Sequence, residues 1–146
     1  MEISKDFEEF FGLLNKHKVR YLVVGGYAVA IHSKPRYTND IDILVEPELD
    51  NAKRTLQALG DFGFGNLGIK QEDFLNREQV IQLGYPPLRI DLLTSVSGVN
   101  FAEAWSRKVD SKYGDQTVHF IGKQDLIASK KGAGRKRDLL DLDELT

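Results

Sequence analysis

At 146 residues, with 41% hydrophobic and 29% charged side chains and a formal net charge of -2, the chain has the size and make-up of one globular domain with its own core. The charge balance gives no global attraction to nucleic acid or to an anionic membrane. The lack of cysteine removes disulfides, thiolate metal sites and cysteine nucleophiles, and with no signal-peptide pattern or long apolar run the cytoplasm is the expected location.

Ser4 can cap a helix whose first turn carries Asp6, Glu8 and Glu9 at its positive end. Phe7, Phe10, Phe11 and Leu14 recur at helical spacing, so the helix is amphipathic and ends near residues 16–18. Tyr21 to Val24 reads as a buried strand, Gly25-Gly26 breaks it, and Tyr27 to His32 suits a short helix. A loop over Ser33-Lys34-Pro35-Arg36 leads to a strand from Asp40 to Val45. Pro47 ends that strand, and a helix follows from Leu49 to Leu59. Residues 61–68 are a turn-rich connection. Gln79 to Leu83 and Leu88 to Thr94 read as strands around Tyr85-Pro86-Pro87. Asn100 to Arg107 is a short helix, and Lys108 to Tyr113 with Thr117 to Ile121 flank a Gly114-Asp115 turn as a hairpin. Two helices close the chain, Lys123 to Lys131 and Arg135 to Leu145, around Gly132-Ala133-Gly134. The mixture implies a single α/β (α+β) domain over residues 1–146, a mixed sheet with helices packed on it. Its core spans about residues 19–121 and a helical pair about 122–146.

The stretch "NDIDILV" is unusual because it sets two carboxylates into an apolar strand. Strand side chains alternate, so Asp40, Asp42 and Leu44 share one face, while Ile41, Ile43 and Val45 face the core. The two aspartates stand roughly 7 Å apart at Cα. Close carboxylates repel and one is pushed toward protonation, whereas a hard divalent cation such as Mg2+ relieves the repulsion. Asp91, in "LRIDLL", is a third carboxylate in an apolar strand. If its strand lies beside the first, the three can surround one or two metal ions, the arrangement for in-line phosphoryl or nucleotidyl transfer. Strand-end aspartates facing water are the alternative. Gly25-Gly26, at a strand-to-helix junction, exposes backbone N–H groups that suit phosphate, although Gly-Gly is commonly just a tight turn.

Together these parts resemble the polymerase-β-like nucleotidyltransferase superfamily. "GGYAVAIH", "TNDIDILV" and the closing "DLIASKKGAGRKRDLLDLDEL" are similar to its minimal, abortive-infection-toxin-type branch, over about residues 19–145. The resemblance implies that Gly25 and Gly26 hold the β- and γ-phosphates of a nucleoside triphosphate. It makes Asp40, Asp42 and Asp91 catalytic and metal-binding, with two Mg2+ ions expected and Mn2+ an acceptable substitute. Asp91 would also help deprotonate the acceptor hydroxyl. Arg36 and Thr38 match an Arg-x-Thr before the acidic pair. Lys130 and Arg135 match basic positions that would reach the triphosphate or the acceptor. The chain departs from the pattern twice. Gly25-Gly26 stands where the wider superfamily has Gly-Ser, and Ser33-Lys34-Pro35 follows His32 where a glycine is typical.

The basic cluster from Lys130 to Arg137 reads equally as a solvated helix end or as a polyphosphate or RNA contact. Asp138 and Asp141 are spaced to pair with Arg135 or Arg137 rather than to bind metal. His32 is expected to be structural. Phe101, Trp105 and Phe120 should fill core or groove, and Tyr27 and Tyr37 should pack rather than stack on a base. Two functions follow. The first is a metal-dependent nucleotidyltransferase moving a nucleoside monophosphate to a hydroxyl of RNA, protein or a small molecule, with release of pyrophosphate. The second is a weakly active or inactive binding module, such as one member of a toxin–antitoxin pair. A partner protein or homo-oligomer would help such a small chain hold an acceptor, and no membrane partner is expected.

Overall fold

Alternation along the central strands sends their side chains into two separate cores. The computed structural model describes residues 3–33, 40–85 and 88–146. Its strands are β1 (Tyr21–Val24), β2 (Asp40–Val45), β3 (Val80–Tyr85), β4 (Leu88–Leu93), β5 (Val109–Tyr113) and β6 (Gln116–Phe120). Its helices are α1 (Lys5–Lys16), α2 (Gly25–His32), α3 (Leu49–Phe62), α4 (Gln71–Leu75), α5 (Phe101–Ser106), α6 (Lys123–Ala133) and α7 (Lys136–Leu145). The strands form one mixed sheet in the order β3-β4-β2-β1-β6-β5. β1 pairs with β6 and β2 with β4 in parallel, and the remaining pairs are antiparallel.

One face of the sheet presents Tyr21, Val23, Ile41, Ile43, Val45, Ile90 and Leu92 to α1 and α3. The α1 stripe of Phe7, Phe10, Phe11 and Leu14 is buried there, each side chain contributing about 2–3 kcal/mol by its removal from water. The Ser4 hydroxyl accepts the Phe7 N–H at 3.4 Å, capping α1 as the sequence implies. The other face presents Leu22, Val24 and Leu44, covered by Ala28 and Val29 of α2, Ala104 of α5, Leu126 of α6 and Leu145 of α7. Leu44 is only 2% exposed, so the aspartate-bearing face is itself a second core beyond the acidic residues.

Several boundaries differ from the sequence reading. α2 begins at Gly25, not Tyr27, because the strand runs directly into the helix; Gly25 makes that change of direction at a φ of +67°, which suits glycine. α3 runs on to Phe62, where Gly63 in the left-handed conformation ends it. α4 lies beyond the turn-rich connection and has no counterpart in the sequence reading. Its single buried side chain, Phe74, anchors it, and the Asp73 carboxylate accepts the Lys70 N–H at 2.8 Å. The fully buried side chain of Asn51 accepts the Arg20 N–H at 2.7 Å and donates to the Arg20 and Glu46 carbonyls at 3.0 Å each, tying the start of β1 to the end of β2.

Candidate active site

The register of two strand pairs assembles the site. In the parallel pair β2–β4, Asp40 lies opposite Arg89 and Asp42 opposite Asp91. In the antiparallel pair β1–β2, Val24 lies opposite Asp42, so Gly25 emerges from β1 directly against that carboxylate. A Cβ at Gly25 would collide with Asp42 Oδ2. The three aspartates thus share one face of the sheet beside the first turn of α2. That helix has no side-chain cap at its N-terminus, since the cap residue is Val24.

The charges at this face are unequal. Arg89 Nη2 donates to Asp40 Oδ2 at 3.0 Å and to Asp91 Oδ2 at 3.2 Å, so one guanidinium bridges two of the three carboxylates. Asp91 is nearly buried, its side chain 9% exposed, and among the described residues its Oδ1 has no hydrogen-bond partner. Burial, and then the charges of Asp91 and Asp40, push the Asp42 carboxyl up from 3.8 to about 6, with Arg89 pulling the other way. Among the described residues no three His, Cys, Asp or Glu side chains stand grouped as a metal-holding set. The Arg89 guanidinium occupies the position between Asp40 and Asp91. The donor chemistry nonetheless fits a hard divalent cation: three carboxylates against one guanidinium, an Asp42 carboxyl pushed toward protonation, and a buried Asp91 oxygen without a donor among the described residues.

The other expected site residues fall in three groups. Gly25 and Gly26 are at the aspartates, in the first turn of α2. Arg36 and Thr38, with Tyr37, lie outside the described residues. Lys130 and Arg135 flank the α6–α7 junction, where Gly134 reverses the chain at a φ of +64°. Lys130 is buried, and its Nζ pairs with Asp138 at 3.2 Å and Asp141 at 3.0 Å. Burial alone would raise Asp138, but the hydrogen bonds from Arg135 and Lys130 outweigh it and hold the carboxyl at about 2. The Arg135 side chain is 61% exposed and bonds Asp138 through Nε at 2.7 Å. Its pKa is raised, first by that hydrogen bond and also by the charge of Asp42, which brings the junction within electrostatic reach of the acidic face.

Arg89 escaped the sequence reading, although a signal was present. It lies two residues before Asp91 on the same strand, hence on the same face. His32 has the structural role expected of it, its Nε2–H donating to the Ile121 carbonyl at 2.7 Å. Tyr27 packs edge-on against Phe7 and Tyr113. Trp105 lines a separate cleft of about 570 Å3 with Asn15, Arg20, Gln116 and His119, and this cleft shares no residue with the aspartate face.

The model of a family described as "Nucleotidyltransferase of unknown function (DUF6036)" matches residues 1–146. Among solved structures, the chain is similar to the lincosamide antibiotic adenylyltransferase LnuA in its lincomycin-bound form. The TM-score is 0.57 at 16% identity, covering 99% of this chain and 98% of that one. It is also similar to an antigenic nucleotidyltransferase-like protein from Paracoccidioides brasiliensis, with a TM-score of 0.54 at 15% identity, over 98% of this chain and 75% of that one. At these identities the likeness speaks for the fold. No match was found among curated proteins. Among the described residues, no helix is long and apolar enough to cross a membrane.

Proposed function

The chain belongs to this nucleotidyltransferase family, and from that membership we propose that it moves a nucleoside monophosphate from a triphosphate to an acceptor hydroxyl. The hydroxyl oxygen attacks the α-phosphorus, the bond to the bridging oxygen breaks, and pyrophosphate leaves. The observation that carries this reading is the convergence of Asp42 and Asp91 at paired positions, with Gly25 packed against Asp42 at the uncapped start of α2.

Asp40, Asp42 and Asp91 would hold Mg2+, with Mn2+ an alternative. Bound there, the cation would supply charge neutralisation for the phosphates and a lowered pKa for the attacking hydroxyl. The chain's own contribution is positioning. The start of α2 has no side-chain cap from Val24, and the N–H groups of its first turn can receive phosphate oxygens. Gly25 lets those oxygens approach the backbone closely. The free Oδ1 of Asp91 can accept the proton of the acceptor hydroxyl. Arg135, exposed at the rim and within reach of the field of Asp42, can contact the outer phosphates. Lys130 contributes by fixing α6 to α7 through Asp138 and Asp141, which holds Arg135 at that rim.

The chain and the lincosamide adenylyltransferase cover one another almost end to end. That shared fold, with a protein described as an adenylyltransferase, favours the enzyme over a degenerate binding module. The acceptor is a hydroxyl of RNA, protein or a small molecule. Calorimetric titration of nucleoside triphosphates with Mg2+ tests the reading. Wild type should show Mg2+-dependent binding that Asp42→Ala abolishes, and a wild type silent with and without Mg2+ overturns it. Labelled triphosphates with candidate acceptors then identify the hydroxyl.

A further inference from the structure

We propose that Arg89 is a built-in competitor of the metal: its guanidinium holds Asp40 and Asp91 together until a divalent cation bound to a triphosphate displaces it. This inference rests on the transferase reading and extends it to a residue outside the expected site. Four observations carry it. First, one nitrogen, Nη2, donates to both carboxylates, at 3.0 and 3.2 Å, so the positive charge sits between two of the three expected metal ligands. Second, that placement comes from the register, since Arg89 is the cross-strand partner of Asp40 and shares the β4 face with Asp91. Third, the guanidinium is held on one side only: among the described residues its buried Nε has no hydrogen-bond partner. Fourth, the side chain is 30% exposed, which leaves it a route outward.

Competition of this kind has a definite consequence. A guanidinium and a divalent cation cannot both sit between the same oxygens, so each lowers the occupancy of the other. Free Mg2+ must break both charge-assisted hydrogen bonds to enter. Mg2+ carried by a triphosphate brings additional contacts, to the first turn of α2, that offset this cost. The released guanidinium is then free to meet phosphate oxygens. Metal therefore enters with the nucleotide rather than ahead of it, and nucleotide and metal bind with strong mutual dependence.

Titration of the full chain with Mn2+ alone, followed by loss of the free-ion electron paramagnetic resonance signal, tests this without reference to activity. Arg89→Met should bind Mn2+ about tenfold or more tightly than wild type in the absence of nucleotide. Arg89→Lys, which keeps the charge but not the planar fork, should fall between them. It also serves as the readout if Arg89→Met does not fold. In wild type, the Arg89 side-chain nitrogen resonances should shift when Mg2+ and a non-hydrolysable triphosphate are added together and stay in place with Mg2+ alone. If wild type binds Mn2+ and neither variant binds it more tightly, Arg89 is a static strut and the inference falls alone. If neither wild type nor variants bind Mn2+ with or without triphosphate, the metal-dependent transferase reading falls with it. A variant that binds Mn2+ where wild type does not supports the competition.

Discussion

Replacing Asp42 by asparagine should make the metal-free protein more stable near neutral pH and leave it nearly unchanged in acid. Asp42 sits between two other carboxylates on a half-buried face, and its carboxyl is pushed up from 3.8 to about 6 by burial and by Asp91 and Asp40. A carboxyl whose folded pKa lies above its unfolded value binds its proton more tightly in the native state. The stability it contributes is fully present below about pH 4 and is lost as pH rises through about 6. At about 1.4 kcal/mol per pH unit, the whole difference is worth about 3 kcal/mol, and solvent at this half-buried position reduces it to about 2 kcal/mol. In a domain of this size that corresponds to a melting-temperature gap of about 4–8 °C. The assay is thermal unfolding of wild type and Asp42→Asn in chelator at pH 4 and pH 7.5. Because asparagine has its own packing and hydrogen bonds, the informative quantity is the change in the gap between the two pH values. A gap of equal size at both refutes the reasoning, since the carboxyl would then be ionising freely beside its neighbours.

Gly25→Ala should lower stability by about 2 kcal/mol, from the left-handed backbone and the collision with Asp42, and should weaken triphosphate binding in calorimetry far more than that loss explains. Lys130→Met should cost about 3–5 kcal/mol in urea unfolding, because it leaves the buried Asp138 and Asp141 without their shared cation. Arg135→Ala, which removes a largely exposed partner of the same Asp138, should cost about 1 kcal/mol or less by the same measurement.

The contrast between Lys130 and Arg135 marks where sequence reasoning reached its limit. Both are basic residues near one glycine, and the local sequence gives them the same expected role. Only the packing of α7 against α6 separates them, burying the first between two carboxylates and leaving the second at the surface. Arg89 is a similar case. Its position on the face of Asp91 is readable from alternation, but its pairing with Asp40 depends on a register between strands 49 residues apart. The short helix α4 lacked the length for a periodic signal, and what anchors it is the burial of one side chain, Phe74.

The local elements were determined by the chain itself, because alternation, helical spacing, Ser4 and the glycines act over a few residues. The apolar faces of α1 and β2, the acidic face of β2 and the strand-to-helix junction at Gly25-Gly26 all follow from such short-range patterns. The strand order, the second core around Leu44, the burial of Lys130 and the bridge from Arg89 to Asp40 and Asp91 were decided by the tertiary structure. Each of these depends on which surfaces meet across the sheet. Residue spacing along the chain carries no direct record of that, because the register is selected by the packing of both cores at once.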